Sequence, residues 1–132
     1  WYQQGTNKPQ PARVSTRANL QDAVLVTTQI DSFAQRQAQQ AFHDLEKDAR
    51  ITRTWGDCYG YLLVATGRAD IMLDPIMNIW DAAAIQPILE EAGGTFTDWQ
   101  GVPSIHQGEG VGTNGLLLEA VLQITATYPG PS

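Results

Sequence analysis

The chain has 132 residues, 42% of them hydrophobic, which gives room for one compact domain with a real core. A net charge of -6 argues against non-specific binding to nucleic acid or to an anionic membrane, since both need a basic face. The single cysteine, Cys58, excludes an internal disulfide and favours a reducing, cytoplasmic setting, and no apolar run reaches the roughly 18 residues of a membrane helix. The acidic balance does not exclude a phosphate substrate if a divalent cation supplies the local positive charge.

Residues 1–20 are polar and rich in Pro and Gln, with Gly5-Thr6-Asn7-Lys8-Pro9 as a turn signal, and read as a hairpin orphaned from a sheet or as a flexible arm. Trp1-Tyr2-Gln3-Gln4-Gly5 has neither the charged leader nor the apolar core of a signal peptide and no Met start, so the chain reads as the remainder of a longer polypeptide. A domain over 21–127 follows, and 128–132 reads as a loose tail. Ala23–Thr28 is a β-branched apolar run and predicts a buried strand. Asp31 or Ser32 opens a helix through Asp48, with Ala34, Ala38, Ala41, Phe42 and Leu45 at helical spacing.

Ile51–Trp55 alternates like a strand, and Tyr59–Thr66 is an apolar helix stopped by Gly67. Ala69–Leu73 is a strand entering Asp74-Pro75. Asp81–Ala92 is a helix with Ile85, Ile88, Leu89 and Ala92 on one face, which Pro87 should bend or shorten and Gly93-Gly94 ends. Gly94–Asp98 is a strand, Trp99-Gln100-Gly101 a turn, and Gly110–Asn114 a last strand, with Asn114 capping a helix through Thr125. Strands alternating with helices predict an α/β layered domain, a central mixed sheet covered by helices.

Two carboxylates stand out, Asp74 and Asp81, on one loop that runs from a strand into a helix. Asp81 precedes Ala82-Ala83-Ala84, so it serves as an N-cap, as a metal ligand beside a helix N-terminus, or as both, because one carboxylate oxygen stays free. Trp80 reads as a core aromatic packed beneath it. Asp74, held extended by Pro75, is either a strand-ending turn residue or an acceptor for a substrate hydroxyl, ammonium or imidazolium. The loop lets both face one cleft at the C-terminal end of the Ala69–Leu73 strand.

Trp55-Gly56-Asp57-Cys58-Tyr59-Gly60 is a second strand-to-helix loop, where Gly56 allows close backbone approach and Asp57 caps the helix. Cys58 reads as a small buried residue. His43 and His106 sit in a polar helix and a surface loop, and with one cysteine they give no zinc pattern. Gly108-Glu109-Gly110-Val111-Gly112 lacks the P-loop lysine, and Glu90 and Glu91 read as solvated.

Taken together, Gly5 and its hairpin, Leu63-Val64-Ala65-Thr66-Gly67-Arg68-Ala69-Asp70, Trp80-Asp81 with Glu91-Ala92-Gly93-Gly94, and Gly112-Thr113-Asn114-Gly115 resemble the C-terminal half of an inositol monophosphatase superfamily enzyme. Within it, Trp55–Gly60 and Met72-Leu73-Asp74-Pro75 look most like the bacterial histidinol-phosphate phosphatase branch; inositol-specific members usually carry Glu where this chain has Asp74.

The resemblance implies the C-terminal half of a two-domain αβαβα fold and Mg²⁺-dependent hydrolysis of a phosphate monoester. It implies that Asp81 is catalytic as a metal ligand and that Asp74, Gly56 and Asp57 contact the substrate. The Gly-Glu-Glu and Asp-Pro-Ile/Leu-Asp-Gly-Thr motifs, which supply the other metal carboxylates, do not occur here; Asp74-Pro75-Ile76 begins like the second, but Met77 and Asn78 replace its Asp and Gly. The chain alone is therefore expected to be inactive and to need an N-terminal half or a second chain. The competing readings are an inositol or other sugar-phosphate phosphatase, and a non-catalytic assembly domain that pairs through its orphaned hairpin, with homodimerisation an option.

Overall fold

The structure is a computed structural model that describes residues 1–131; Ser132, the end of the tail read as loose, lies outside the described residues. Five strands form one mixed sheet in the order β2-β1-β3-β5-β4. They are β1 (Val24–Thr27), β2 (Ile51–Thr54), β3 (Ile71–Asp74), β4 (Thr95–Thr97) and β5 (Gly110–Thr113). β1 runs parallel to both β2 and β3, while β5 is antiparallel to β3 and β4. The parallel strands β1 and β3 are covered on both faces, which is why they read as continuous apolar runs rather than alternating ones.

Alternate residues feed two cores. Leu25, Ile71, Leu73 and Val111 face Phe33, Phe42, Leu45 and Val121 on helices α1 (Asp31–Gln35), α2 (Gln39–Asp48) and α6 (Leu118–Thr125). Val26, Met72 and Phe96 face Tyr61, Val64, Ile85 and Leu89 on α3 (Cys58–Ala65) and α5 (Ile85–Glu91). This is the layered α/β arrangement with a helix-covered mixed sheet.

Two predicted helices are each broken in two. The expected Asp31–Asp48 helix ends at Gln35 and restarts at Gln39, because Gln37 turns left-handed (φ 61°) and Ala38 N–H closes back on Phe33 C=O at 2.8 Å. The expected Asp81–Ala92 helix is a short α4 (Ile79–Ala82) followed by α5. Pro87 is the physical reason: it cannot donate to Ala83 C=O and its ring clashes there, so it is accommodated only within the first turn of a new helix.

Asn114 does not cap α6 directly. Its Oδ1 accepts from Leu117 N–H at 3.2 Å, and its Nδ2 donates to Ser15 Oγ and Arg17 C=O. Those bonds, with the buried Asp70 carboxylate that accepts from Ser15 Oγ, Arg17 and Val24 N–H, fasten the N-terminal arm to the sheet. The expected hairpin is a single bridge, Tyr2 to Gln10. At the other end Tyr128 packs edge-on against Trp99, and Pro129 C=O accepts from Arg36, so the first part of the tail is tied down.

Candidate functional site

The C-terminal ends of the three parallel strands lie side by side, and each hands the chain to a polar residue. Thr28 follows β1, the Trp55-Gly56-Asp57 loop follows β2, and Asp74 closes β3. Ligands of open α/β sheets bind at this end, because the connections there leave a crevice. Thr28, Ser32, Asp57, Asp74, Ile76, Met77, Asn78 and Asp81 line a pocket of about 170 Å³. The structure therefore brings together three of the four residues singled out from sequence, Asp57, Asp74 and Asp81. The fourth, Gly56, stands behind the pocket against Thr28, where an added Cβ would lie 3.1 Å from Thr28 Cγ2.

Asp74 is 5% exposed and its oxygens are occupied. Oδ2 accepts the Tyr61 hydroxyl at 2.9 Å and Oδ1 accepts Thr28 N–H at 3.2 Å, while its main-chain carbonyl accepts Trp99 Nε1–H at 3.2 Å. Burial pushes the Asp74 carboxyl above the usual carboxylate range, against the lowering effect of the Thr28 and Tyr61 hydrogen bonds and with a small push from Asp57. Burial, reinforced by Asp74, holds the Tyr61 hydroxyl well above its ordinary value, so it remains a donor.

Asp81 is different. It sits in the single turn of α4, half-buried, with its N–H bonded to Asn78 C=O at 3.0 Å, and it does not cap the helix, which begins two residues earlier. The ion pairs among the described residues are Arg17–Asp70, Arg36–Glu109 and His43–Glu46, none of which involves Asp57, Asp74 or Asp81. Three carboxylates thus share one pocket with no Lys or Arg in its lining. An all-oxygen, uncompensated set of this kind suits a hard divalent cation or a cationic ligand. Among the described residues no three His, Cys, Asp or Glu side chains are close enough to hold a metal ion by themselves, so the set fits part of a coordination shell.

Several local expectations are corrected. Asp57 makes no side-chain cap to α3; it adopts φ 52° and ψ -136°, a conformation that costs a non-glycine residue about 1–3 kcal/mol, and its N–H donates to Thr28 Oγ1 at 3.3 Å. Trp80 is 74% exposed, because α4 is one surface turn whose inward position is taken by Ala82. Cys58 is exposed at the first turn of α3, whose inward positions belong to Gly60, Tyr61 and Val64. Glu90, Glu91, His43 and His106 are exposed as expected.

Sequence reasoning missed Thr28, Ser32, Asn78 and Tyr61. Thr28 had a signal, since it ends a strand beside the one that carries Asp74. Tyr61 had none, because only the fold brings its hydroxyl to Asp74, 13 residues away.

A mixed α/β sheet with an acidic pocket across the ends of its parallel strands is the frame of a ligand-binding α/β domain. The model of the inositol monophosphatase family matches residues 1–128, and the chain belongs to that family. It is 43% identical over 101 residues to a histidinol-phosphatase of Chlorobaculum parvum, covering 76% of this chain and 39% of that protein. It is 36% identical over 115 residues to a histidinol-phosphatase of Mycobacterium tuberculosis, covering 87% and 44%. Among solved structures, an inositol monophosphatase from Zymomonas mobilis superposes with a TM-score of 0.75 at 32% identity, covering 86% of this chain and 46% of that one. The chain thus spans about two fifths of the length of the curated relatives it matches. No helix of the described residues is long and apolar enough to cross a membrane.

Proposed function

We propose that the chain is the C-terminal half of a Mg²⁺-dependent phosphomonoesterase that hydrolyses histidinol phosphate to histidinol and phosphate, a step of histidine biosynthesis. The observation that carries this reading is the convergence of Asp57, Asp74 and Asp81 on one pocket without a counter-cation. A divalent cation bound there supplies the charge that polarises a phosphate and activates water.

Within this reading, Asp81 holds one coordination position, since its carboxylate is accessible and makes no ion pair. Asp74 faces the organic part of the substrate. Tyr61 and Thr28 fix its rotamer, and an ammonium or imidazolium brought against it would stabilise its charged form and offset its burial. Asp57 and Gly56 shape the adjoining wall, with Gly56 letting the loop close onto Thr28. The remaining metal carboxylates come from an N-terminal half, either in the same polypeptide or in a second chain.

An inositol phosphatase is the second reading, favoured by the 32% identity to the Zymomonas mobilis inositol monophosphatase. Phosphate release measured with Mg²⁺ on the 132-residue chain alone should show no turnover, and turnover at ordinary enzyme rates overturns the partial-site reading. The same assay on the assembled enzyme should prefer histidinol phosphate to inositol phosphate; the opposite preference selects the second reading.

A further inference from the structure

Gly108-Glu109-Gly110, a glycine-flanked glutamate that the proposed function leaves without a role, lies against the turn that feeds the acidic pocket. The β3–β5 ladder pairs Asp74 with Gly110 and then resumes with Met77 N–H donating to Gly108 C=O at 2.8 Å. Pro75 and Ile76 thus stand opposite the single Glu109, as in a β-bulge, a device that bends a strand and re-aims its side chains. Pro75 has no N–H to give the ladder, which fits the interruption. Both glycines serve the close approach. Gly108 is left-handed (φ 75°), and a Cβ on Gly110 would stand 2.8 Å from the Tyr61 hydroxyl that holds Asp74.

The Glu109 side chain does not line the pocket. Its Oε1 accepts Trp99 N–H at 2.8 Å, while the Trp99 indole Nε1–H donates to Asp74 C=O at 3.2 Å. The two ends of the turn, Asp74 C=O and Met77 N–H, are therefore gripped by Trp99 and Gly108, and Glu109 ties the two grips together. Arg36 completes the unit. Its guanidinium lies 3.5 Å from the Trp99 ring centroid and pairs with Glu109, the two side chains being 4% and 0% exposed. Arg36 Nε and Nη1 find no hydrogen-bond partner among the described residues. A buried ion pair with idle donors stabilises a fold no better than apolar side chains of the same volume, so stability does not account for it. What the pair does is fix the rotamer of Glu109 and the plane of the Trp99 ring.

We propose that Glu109 is a positioning residue for the acidic pocket: with Trp99 and its counter-ion Arg36 it sets the turn from Asp74 to Met77, and through that turn the places of Asp74 and Asp81. This rests on the reading of the chain as part of a phosphatase. Glu109 acts through the backbone of the turn rather than on the substrate.

Hydrogen exchange followed by NMR on the full 132-residue chain reads the bracket directly. Trp99 is the buried one of four tryptophans, so its indole N–H is recognised as the slowest. The reference is the Asp70 amide, which donates to Val24 C=O at the other end of β3. Glu109→Ala should speed exchange of the Trp99 indole and the Met77 amide about tenfold or more relative to Asp70, the effect of one lost hydrogen bond. Trp99→Phe keeps a ring in the core and removes the indole donor; it should speed Met77 likewise and serves if Glu109→Ala does not fold. Arg36→Met combined with Glu109→Gln removes both charges but keeps the acceptor, and should hold both signals within about threefold of the parent. In the assembled phosphatase, Glu109→Ala should lower kcat/KM about tenfold or more and the double variant should restore it. Exchange that rises in step at Trp99, Met77 and Asp70 shows a purely structural glutamate and overturns the proposal, as does a loosened turn with kcat/KM intact. An assembled parent that releases no phosphate counts against the proposed function alone, and the exchange ratios still decide whether Glu109 sets the turn.

Discussion

Asp74 and Asp81 stand seven positions apart on one loop, yet they occupy opposite physical regimes. Asp74 ends a central strand, is almost wholly buried and has its oxygens engaged by Tyr61 and Thr28. Asp81 rides a single surface turn, half-buried and without an ion-pair partner among the described residues. Under the proposed function the desolvated, fixed Asp74 would position the substrate and the half-buried Asp81 would hold the ion, and each side of that division can be tried by substitution.

The largest effect is expected at Asp81. Asp81→Asn should lower the activity of the assembled enzyme by more than about a hundredfold, while the melting temperature of the chain barely moves, because a surface change of this kind alters stability by about 0.5 kcal/mol at most. Steady-state assays at saturating Mg²⁺ check it, and unchanged activity there removes Asp81 from the metal site.

Asp74→Ala should act mainly on stability. It leaves the buried Tyr61 hydroxyl and Thr28 N–H without their acceptor, a loss of about 1–3 kcal/mol that chemical denaturation would read. A loss no larger than that of Asp81→Ala would mean that the two aspartates are not in different regimes.

The subtlest effect is a pH dependence. The Asp74 carboxyl sits above its ordinary value because of burial, so the folded state holds its proton more readily than the unfolded chain does. The resulting contribution to stability is fully present below the unfolded value and is lost as pH rises through the folded one. Glu109, also raised by burial, works in the same direction. Asp74→Asn removes the Asp74 part. Its melting temperature relative to the parent should therefore be highest at neutral pH and should fall back as pH is lowered toward 4. A relative melting temperature that instead rises on acidification would show that the Tyr61 and Thr28 hydrogen bonds outweigh the cost of burial.

Much of the fold was legible in the chain. The runs Ala23–Thr28 and Ala69–Leu73 read as strands, the first as a buried one, and strands stand there at Val24–Thr27 and Ile71–Asp74, whose parallel pairing was not legible. The two helix breaks were partly legible: Pro87 announced one, whereas the turn at Gln37 had no glycine or proline to mark it. At the site, the carboxylates were visible because polar residues at the ends of apolar runs stand out. Trp80 and Cys58 were misplaced because burial of a single turn or of a first helical residue depends on which neighbour takes the inward position.

By itself the sequence determined the strand and helix periodicities, the acidic character and the positions of Asp57, Asp74 and Asp81, since these follow from local patterning and residue chemistry. Only the tertiary structure decided that those carboxylates share a pocket, and that Tyr61 and Thr28 immobilise Asp74 while Asp81 makes no ion pair among the described residues. Each of these depends on contacts between residues far apart in the chain, which residue order constrains and only packing of the elements around the sheet selects.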